Sequence, residues 1–539
     1  MSQLEIKPMK VRHLFEWFDK RSLAIPEIQR EFVWNAKRAC ALLDSIYRGF
    51  PVGTIMIWRT DRKRETMLRH VLHVLPTFDP VSNKEILFLL DGQQRLSVLH
   101  NVREGTSVKP EKGRPIHFAN IFFSLDDDGE CRFFHLKKHD PERHFRVTDL
   151  LKGICKPQAV RKRKAVNDCR MKLLQYEIPV VFTTTAQVEH VRQSFIRINS
   201  QGMRITEADK AFSQAQRVRP LDRFHHLRSR MSDGFKDLTK ETYWNTLILA
   251  RGYRSLGQKS MIRLSRDIEK TDDGENWFLK EEPLLAKSIT RACDYLKSKF
   301  GVRSLDLLPS ENIIPVLAMF FYAGKALPSR KQALQIRQWF WHVSVAQRYV
   351  GATYERHILD DVAFFTELAD GKNRTYRVER KIPMHKLKLG AYNSGGALPK
   401  AYRLLLISRH PRFLANGDGI DFDDVSAEGN RKQLHHIFPK ALLRNAGVPK
   451  EQWNLIGNIC YLAAGENKSV GSGAPIDYLE PYYSKRNFAS IMKSHLIPHA
   501  NSSPLWGPDI KKSYKLFVDL RCILIAKAFA EAAGAKLFE

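Results

Sequence analysis

Residues 86–100 read ILFLLDGQQRLSVLH. A run of apolar residues enters Asp91-Gly92 and continues into residues of helical composition, which predicts a strand, a tight turn and a helix. A helix that opens directly off a strand turns its first free amides toward an anion, a frequent phosphate-binding geometry. Asp91 and Gly92 make the turn, Arg95 adds a forked cation, and Gln93 and Gln94 donate to phosphate oxygens or position a water. The plainer alternative has Asp91 capping the helix and Arg95 in a surface ion pair.

Upstream, AKRACALLDSIYRGF at 36–50 has apolar positions at helical spacing and ends at Gly49; Pro51 and the strand-like TIMIW follow. HFANIFFSLDDDGECRFFHL at 117–136 places two apolar-aromatic runs around Asp-Asp-Gly, a β-hairpin expected at the edge of the same sheet. KPQAVRKRKAVNDCRMK at 156–172 holds seven basic residues and one acid. It reads equally well as a helix beside nucleic acid or as a solvated surface helix. YEIPVVFTT at 176–184 predicts another strand, and the helix, Gly turn and helix start after it close a first domain near residue 215. Residues 216–410 are mostly helical in pattern, as in ALQIRQWFWHVSVAQRYV at 333–350, and predict an α-helical middle domain. The loop-like AYNSGGALPK leads to a third domain at 411–539.

At 539 residues the chain exceeds one ordinary core, so several domains are expected. Lysine and arginine outnumber acids 88 to 58, a surplus of +30 that would recruit a polyanion through phosphate contacts. Nucleic acid is the expected partner, although basic proteins are also found merely soluble, on ribosomes or at acidic membranes. The seven cysteines are scattered and never in CxxC spacing, which argues against a disulfide framework or a zinc ribbon and for a reducing cytoplasm. MSQLEIKPMKVRHLF lacks a secretory apolar core and no stretch suits a membrane helix, so a cytoplasmic protein is expected.

QLHHIFPKALL places His435 and His436 on a short apolar run stopped by Pro439. NLIGNICYLAAGENKS then offers a second strand-like run, ICYLAA, between Asn458 and Asn467. The spacing suits a hairpin followed by a helix around one divalent ion, a ββα arrangement that brings a base and a metal to one phosphodiester. Hydrolysis there needs a base to deprotonate water and a cation to neutralise the phosphorane. His436, with an ordinary pKa near ~6.5, would be the base, and His435, on the other side of its strand, a metal ligand. By itself a histidine doublet reads as well as a surface pair or a satisfied buried pair.

LHHIFP, Gly457-Asn458 and Asn467 together resemble the HNH, or His-metal, nucleases of GmrSD/SspE-like bacterial anti-phage restriction proteins. The resemblance implies base for His436, orientation of base or hairpin for Asn458, and metal ligation for His435 and Asn467. Family members commonly carry Asp or Glu at the position of His435. A neutral imidazole there favours a softer ion, so Zn2+ or Ni2+ stand beside Mg2+ or Mn2+. IPEIQREFVW at 25–34, SIYRGFPVGTIMIW at 45–58, LLDGQQRLSVLH at 89–100 and FIRINSQGMRIT at 195–206 resemble, in that order, the DGQQR family, similar in fold to ParB and sulfiredoxin. That likeness implies an NTP pocket formed by Gln29, Arg30, Asp91, Gly92, Gln93, Gln94, Arg95 and Asn199. No Walker GxxxxGK[ST] occurs, so NTP turnover would use this pocket.

The expectation is an α+β multidomain protein: a ParB-like nucleotide-binding domain at 1–215, the helical middle, and an HNH domain at 411–539. It would act as an NTP-regulated, metal-dependent DNA endonuclease of anti-phage defence, on double-stranded DNA that carries or lacks a modification. A homo-oligomer or an operon-encoded defence partner would fit such a system. The competing reading is a DNA-binding regulatory or assembly subunit whose HNH fold lacks chemistry.

Overall fold

The computed structural model describes residues 4–26, 32–61, 75–83, 85–110, 115–125, 131–155, 159–184, 207–215, 217–324, 327–372, 374–378, 381–392, 395–413, 417–420, 422, 434–461, 473–483 and 485–539. The chain divides into two compact units, Met1–Gln214 and Ala215–Glu539. The expected middle and C-terminal segments both fall within the second.

In the first unit, strands β1 (Leu4–Lys10), β2 (Leu23–Ala24), β3 (Ile55–Asp61), β4 (Glu85–Asp91) and β10 (Glu177–Thr183) form one sheet in the order β1-β10-β3-β4-β2. β10 runs parallel to β3 and β2 parallel to β4, while the other neighbours are antiparallel. Helix α1 (Val11–Asp19) buries Val11, Leu14, Phe15 and Phe18, one face at helical spacing. Helix α2 (Ala36–Arg48) starts where the Asn35 side chain accepts from Arg38 N, and stops at Gly49 in the left-handed conformation, φ 76°. β4 delivers the chain to Gly92, φ 95°, and helix α3 (Gln93–Glu104) begins at once. A Cβ on Gly92 would sit 3.0 Å from Ile55 Cγ1, so sterics and backbone sign both call for glycine there.

The 117–136 hairpin forms but leaves the main sheet. After the short pair β5 (Ser107–Val108) and β6 (Ile116–His117), strand β7 (Ile121–Ser124) lies between β8 (Phe133–His135) and β9 (His144–Arg146) in a separate three-stranded sheet. The expectation of an edge strand is corrected: β9, a strand unread in the sequence, pairs with the free side of β7. Helix α4 (Val147–Lys152) leads to α5 (Val160–Gln175), which buries only Val166, Cys169 and Leu173 and keeps Arg161, Arg163, Lys164 and Lys172 exposed. Helix α6 (Glu207–Gln214) closes the unit.

The second unit is helical through α7 (Pro220–Arg230), α8 (Lys240–Ala250), α9 (Gln258–Lys270), α10 (Asp272–Phe300), α11 (Ile313–Gly324), α12 (Arg330–Ala346), α13 (Tyr354–Ala369), α14 (Met384–Lys388) and α15 (Ala397–Ser408). Helix α11, apolar on nearly every side, lies at the centre and packs against α8, α10 and α13. A two-stranded antiparallel hairpin follows, β11 (Leu434–His436) with β12 (Ile459–Tyr461), joined through α16 (Lys440–Asn445). Helices α17 (Pro475–Tyr483), α18 (Phe488–Ser494) and α19 (Ile510–Ala533) complete the chain. α19 touches both α12 and α15, so the C-terminal segment shares its packing with the helices before it. Among the described residues no helix is long and apolar enough to cross a membrane.

Arg521 of α19 is fully buried yet faces no carboxylate among the described residues. Its guanidinium donates to the carbonyls of Gly457 (2.9 Å), His495 (2.9 Å) and Leu496 (3.1 Å) and to Tyr402 Oη (2.8 Å). Tyr402 in turn donates to Ile459 O at 2.6 Å, so helices α15 and α19 hold the start of β12 between them. Gly457 is a glycine because α19 lies against it: a Cβ would meet Val518 Cγ1 at 3.0 Å and Cys522 Sγ at 3.1 Å. Replacing Arg521 by Met leaves three buried carbonyls unpaired, and each costs about 1–3 kcal/mol. Chemical denaturation of the full chain should show the second unit losing about 3 kcal/mol or more in Arg521→Met, with the first unit unchanged.

Candidate functional site

His436 ends β11, opposite Ile459, and is half-buried. Its Nε2 lies 2.9 Å from Asn454 Oδ1. The Asn454 amide cannot be turned round, because its Nδ2 donates to the carbonyl of Tyr392, which can only accept. The Tyr392 amide donates back to Asn454 O at 2.6 Å, so the two residues are clamped together. Oδ1 therefore faces the ring, Nε2 carries the proton, and Nδ1 keeps its lone pair. Burial draws the His436 pKa below its ordinary value, the Asn454 bond partly restores it, and the Lys440 charge lowers it again. The ring is a neutral base with a fixed tautomer. Asn454 is the residue that sequence reasoning missed; its place four positions before Asn458 is visible in NLIGN only once the hairpin is closed.

Asn458 is fully buried. Its side chain accepts from Phe438 N at 2.8 Å and donates to Phe438 O at 3.0 Å and Trp453 O at 3.1 Å. Ile437 N also donates to Asn458 O at 2.8 Å, and Tyr478 Oη of α17 donates to Ile437 O at 2.8 Å. Both polar atoms of the Asn458 side chain are thus spent on backbone, tying the bend after His436 to the Trp453 segment, which makes it a positioning residue. His435 pairs with Cys460 across the hairpin, and strand alternation turns it to the opposite face from His436. Asn467 lies outside the described residues. Among the described residues no group of three His, Cys, Asp or Glu could hold a metal ion, so those residues alone do not make up a metal centre.

In the first unit the structure separates the residues that the strand-turn-helix motif puts together. Arg95 donates to Asp91 Oδ2 (2.9 Å) and to Val52 O (2.7 Å), crossing Gly53 so closely that a Cβ there would lie 2.2 Å from Arg95 Nη1. This explains the glycine in FPVGT: the guanidinium ties that loop to the β4–α3 turn. Asp91 meets Arg95 as an ion pair and does not cap α3, whose N-cap is Gly92 without a side-chain bond. Gln94 Oε1 accepts from Val33 N at 2.9 Å and fastens the segment after Phe32. Gln93 is different: only 3% exposed, at the first position of α3, it has neither amide oxygen nor amide nitrogen hydrogen-bonded. Ser97 Oγ, one turn on, is also buried and unbonded. An orphaned amide beside the open N–H groups of a helix is the polar equipment for an anionic ligand such as a phosphate chain. Gln29, Arg30 and Asn199 lie outside the described residues.

The first unit thus has a helix start with an orphaned buried amide, and the second a histidine held in one tautomer. Residues 14–215 match the family described as GmrSD restriction endonuclease, N-terminal domain, a span that contains the Asp91–Arg95 turn. This supports a GmrSD-like protein of the restriction-endonuclease class, phage-defence type, for which DNA is the substrate. The chain is also 22% identical to uncharacterized protein MJ0686 of Methanocaldococcus jannaschii, in an alignment covering 94% of this chain and 96% of that one. That alignment runs through both units.

These geometries have consequences in solution. Gln93→Leu removes an amide whose burial costs about 1–3 kcal/mol. Thermal unfolding should show it as stable as the parent or more so, and a nucleotide whose phosphates use this amide should lose at least tenfold in affinity by calorimetry. A reaction that uses the neutral His436 ring as its base should persist below the pH of an ordinary imidazole, because burial draws the pKa down. Lys440→Gln removes a cation that lowers the ring's pKa, and the acid limb of the pH–rate profile should move upward.

Proposed function

We propose that the chain is a metal-dependent DNA endonuclease of a phage-defence restriction system, with its chemistry at the 434–461 hairpin and its regulation in the first unit. The observation that carries the reading is the His436–Asn454–Tyr392 relay. It leaves a single lone pair, on Nδ1, ready to take a proton.

His436 Nδ1 accepts a proton from a water whose oxygen attacks the scissile phosphorus. The resulting imidazolium keeps its Nε2–H on Asn454 Oδ1, a neutral acceptor that stabilises the added charge. The bond from phosphorus to the leaving oxygen breaks as the new one forms, and that oxygen is protonated from solvent. Asn458 holds the bend after His436, so the ring keeps its position through the cycle. A divalent ion, Mg2+ or Mn2+ with Zn2+ or Ni2+ as softer candidates, would be held by His435 and Asn467 and would neutralise charge on the phosphorane.

In the first unit, a nucleoside triphosphate would place its phosphates at the start of α3, within reach of Gln93 and beside the Arg95–Asp91 pair. Gln29, Arg30 and Asn199 complete that pocket in this reading. Binding or turnover there would gate the nuclease. A free nuclease endangers the host chromosome, and a condition on its activity answers that need. The substrate is double-stranded DNA carrying or lacking a base or backbone modification.

A plasmid-nicking assay on modified and unmodified phage DNA, with and without each NTP, in magnesium and manganese, tests this. His436→Ala should lose cleavage by a factor of about a hundred or more and retain DNA, and EDTA should silence the parent protein. Undiminished nicking by His436→Ala would reject the assignment, and DNA retention without nicking in any divalent ion would favour the regulatory-subunit reading. Arg95→Ala should lose nucleotide turnover.

A further inference from the structure

One groove in the second unit, apart from the hairpin, is lined by more cations than acids. Between α7 and α10 runs a groove of about 1090 Å³. One wall carries Arg219, Arg223, His226 and Arg230, spaced i, i+4, i+7 and i+11 so that they share a helix face. Lys287 and Arg291, one turn apart on α10, face them from the other wall. Two acids intervene, and both are engaged. Asp222 pairs with Arg219 at 3.1 Å, and buried Glu282 binds Arg223 at 3.2 Å and Tyr243 Oη at 3.1 Å. Arg230 and Lys287 are exposed and have no carboxylate within ion-pair distance among the described residues.

Cations crowded on both walls of one groove repel each other, and the cost is relieved when a polyanion lies between them. Arg219 adds a backbone feature: it sits at φ 51°, a left-handed conformation that residues with a Cβ seldom adopt, at the very start of α7. Eleven residues at a rise of ~1.5 Å make the cationic row about 16 Å long, longer than one phosphate group and suited to several in succession. No Phe, Tyr or Trp lines the groove among the described residues, so no aromatic face is offered to an unstacked base.

We propose that this groove grips the phosphate backbone of duplex DNA, independently of sequence, and holds it for the hydrolytic site. The proposal rests on the reading of the chain as a DNA endonuclease. It adds where the substrate is held and by which residues.

The test is fluorescence anisotropy of a labelled duplex bound by the full chain in EDTA, titrated over a range of salt. The groove variant Arg230→Glu/Lys287→Glu is compared with the equal charge change Lys331→Glu/Lys536→Glu, at exposed positions outside the groove. The groove variant should bind at least tenfold more weakly, and its slope of log K against log salt should shrink by about 0.9 for each phosphate that is no longer neutralised. Arg230→Gln/Lys287→Gln, which introduces no acid, should shrink the slope in the same way. Groove and control variants that weaken binding equally, or slopes unchanged in both groove variants, would overturn the proposal and leave the nuclease reading standing. Failure of the parent protein to bind duplex even at low salt would overturn both.

Discussion

A single buried guanidinium organises the histidine-bearing hairpin of the second unit. Arg521 lies where water cannot reach and where no carboxylate among the described residues balances it, so its donors must be met by oxygens already fixed in place. The oxygens it meets belong to Gly457, His495, Leu496 and Tyr402, from three separate stretches of chain. Because Tyr402 also holds Ile459 O, the strand opposite His436 is anchored from two sides. A short hairpin with three residues a side is marginal in water, and this bracing supplies what its own pairing lacks.

The same accounting separates architecture from chemistry. Asn458 and Asn454 are both asparagines near His436, yet Asn458 spends every side-chain bond on backbone while Asn454 spends one on backbone and offers the other to the imidazole. In the first unit Gln94 is committed to Val33 N, whereas its neighbour Gln93 is buried with nothing bound. Satisfied polar groups hold the fold together. Unsatisfied ones store a cost that a ligand would relieve.

The two halves also divide the charge differently. In the first unit most cations of α5 are spread toward solvent over a helix that buries three residues. In the second, cations on α7 and α10 converge on a common space. Net charge from composition describes the total, and only convergence makes a field that selects an extended polyanion.

Much of this was legible in the linear chain. The strand, turn and helix at 86–100, the helix ending at Gly49 and the histidine-bearing hairpin all follow from local periodicity and glycine placement, because those signals depend on neighbours within a few residues. That His436 is an imidazole on a short strand was readable too, but its bond to Asn454 was not. The third partner of the 121–135 hairpin was not, since His144–Arg146 looks like loop until β7 presents it with a free edge. Nor were the roles of Asn454, Gly53 and Arg521, whose partners stand 18 to 119 residues away along the chain. Local residue order set which segments become helix and strand and which side chains have reactive chemistry. Which polar groups are satisfied was settled only on folding, because that depends on oxygens and nitrogens brought together from distant parts of the chain in a space that excludes water.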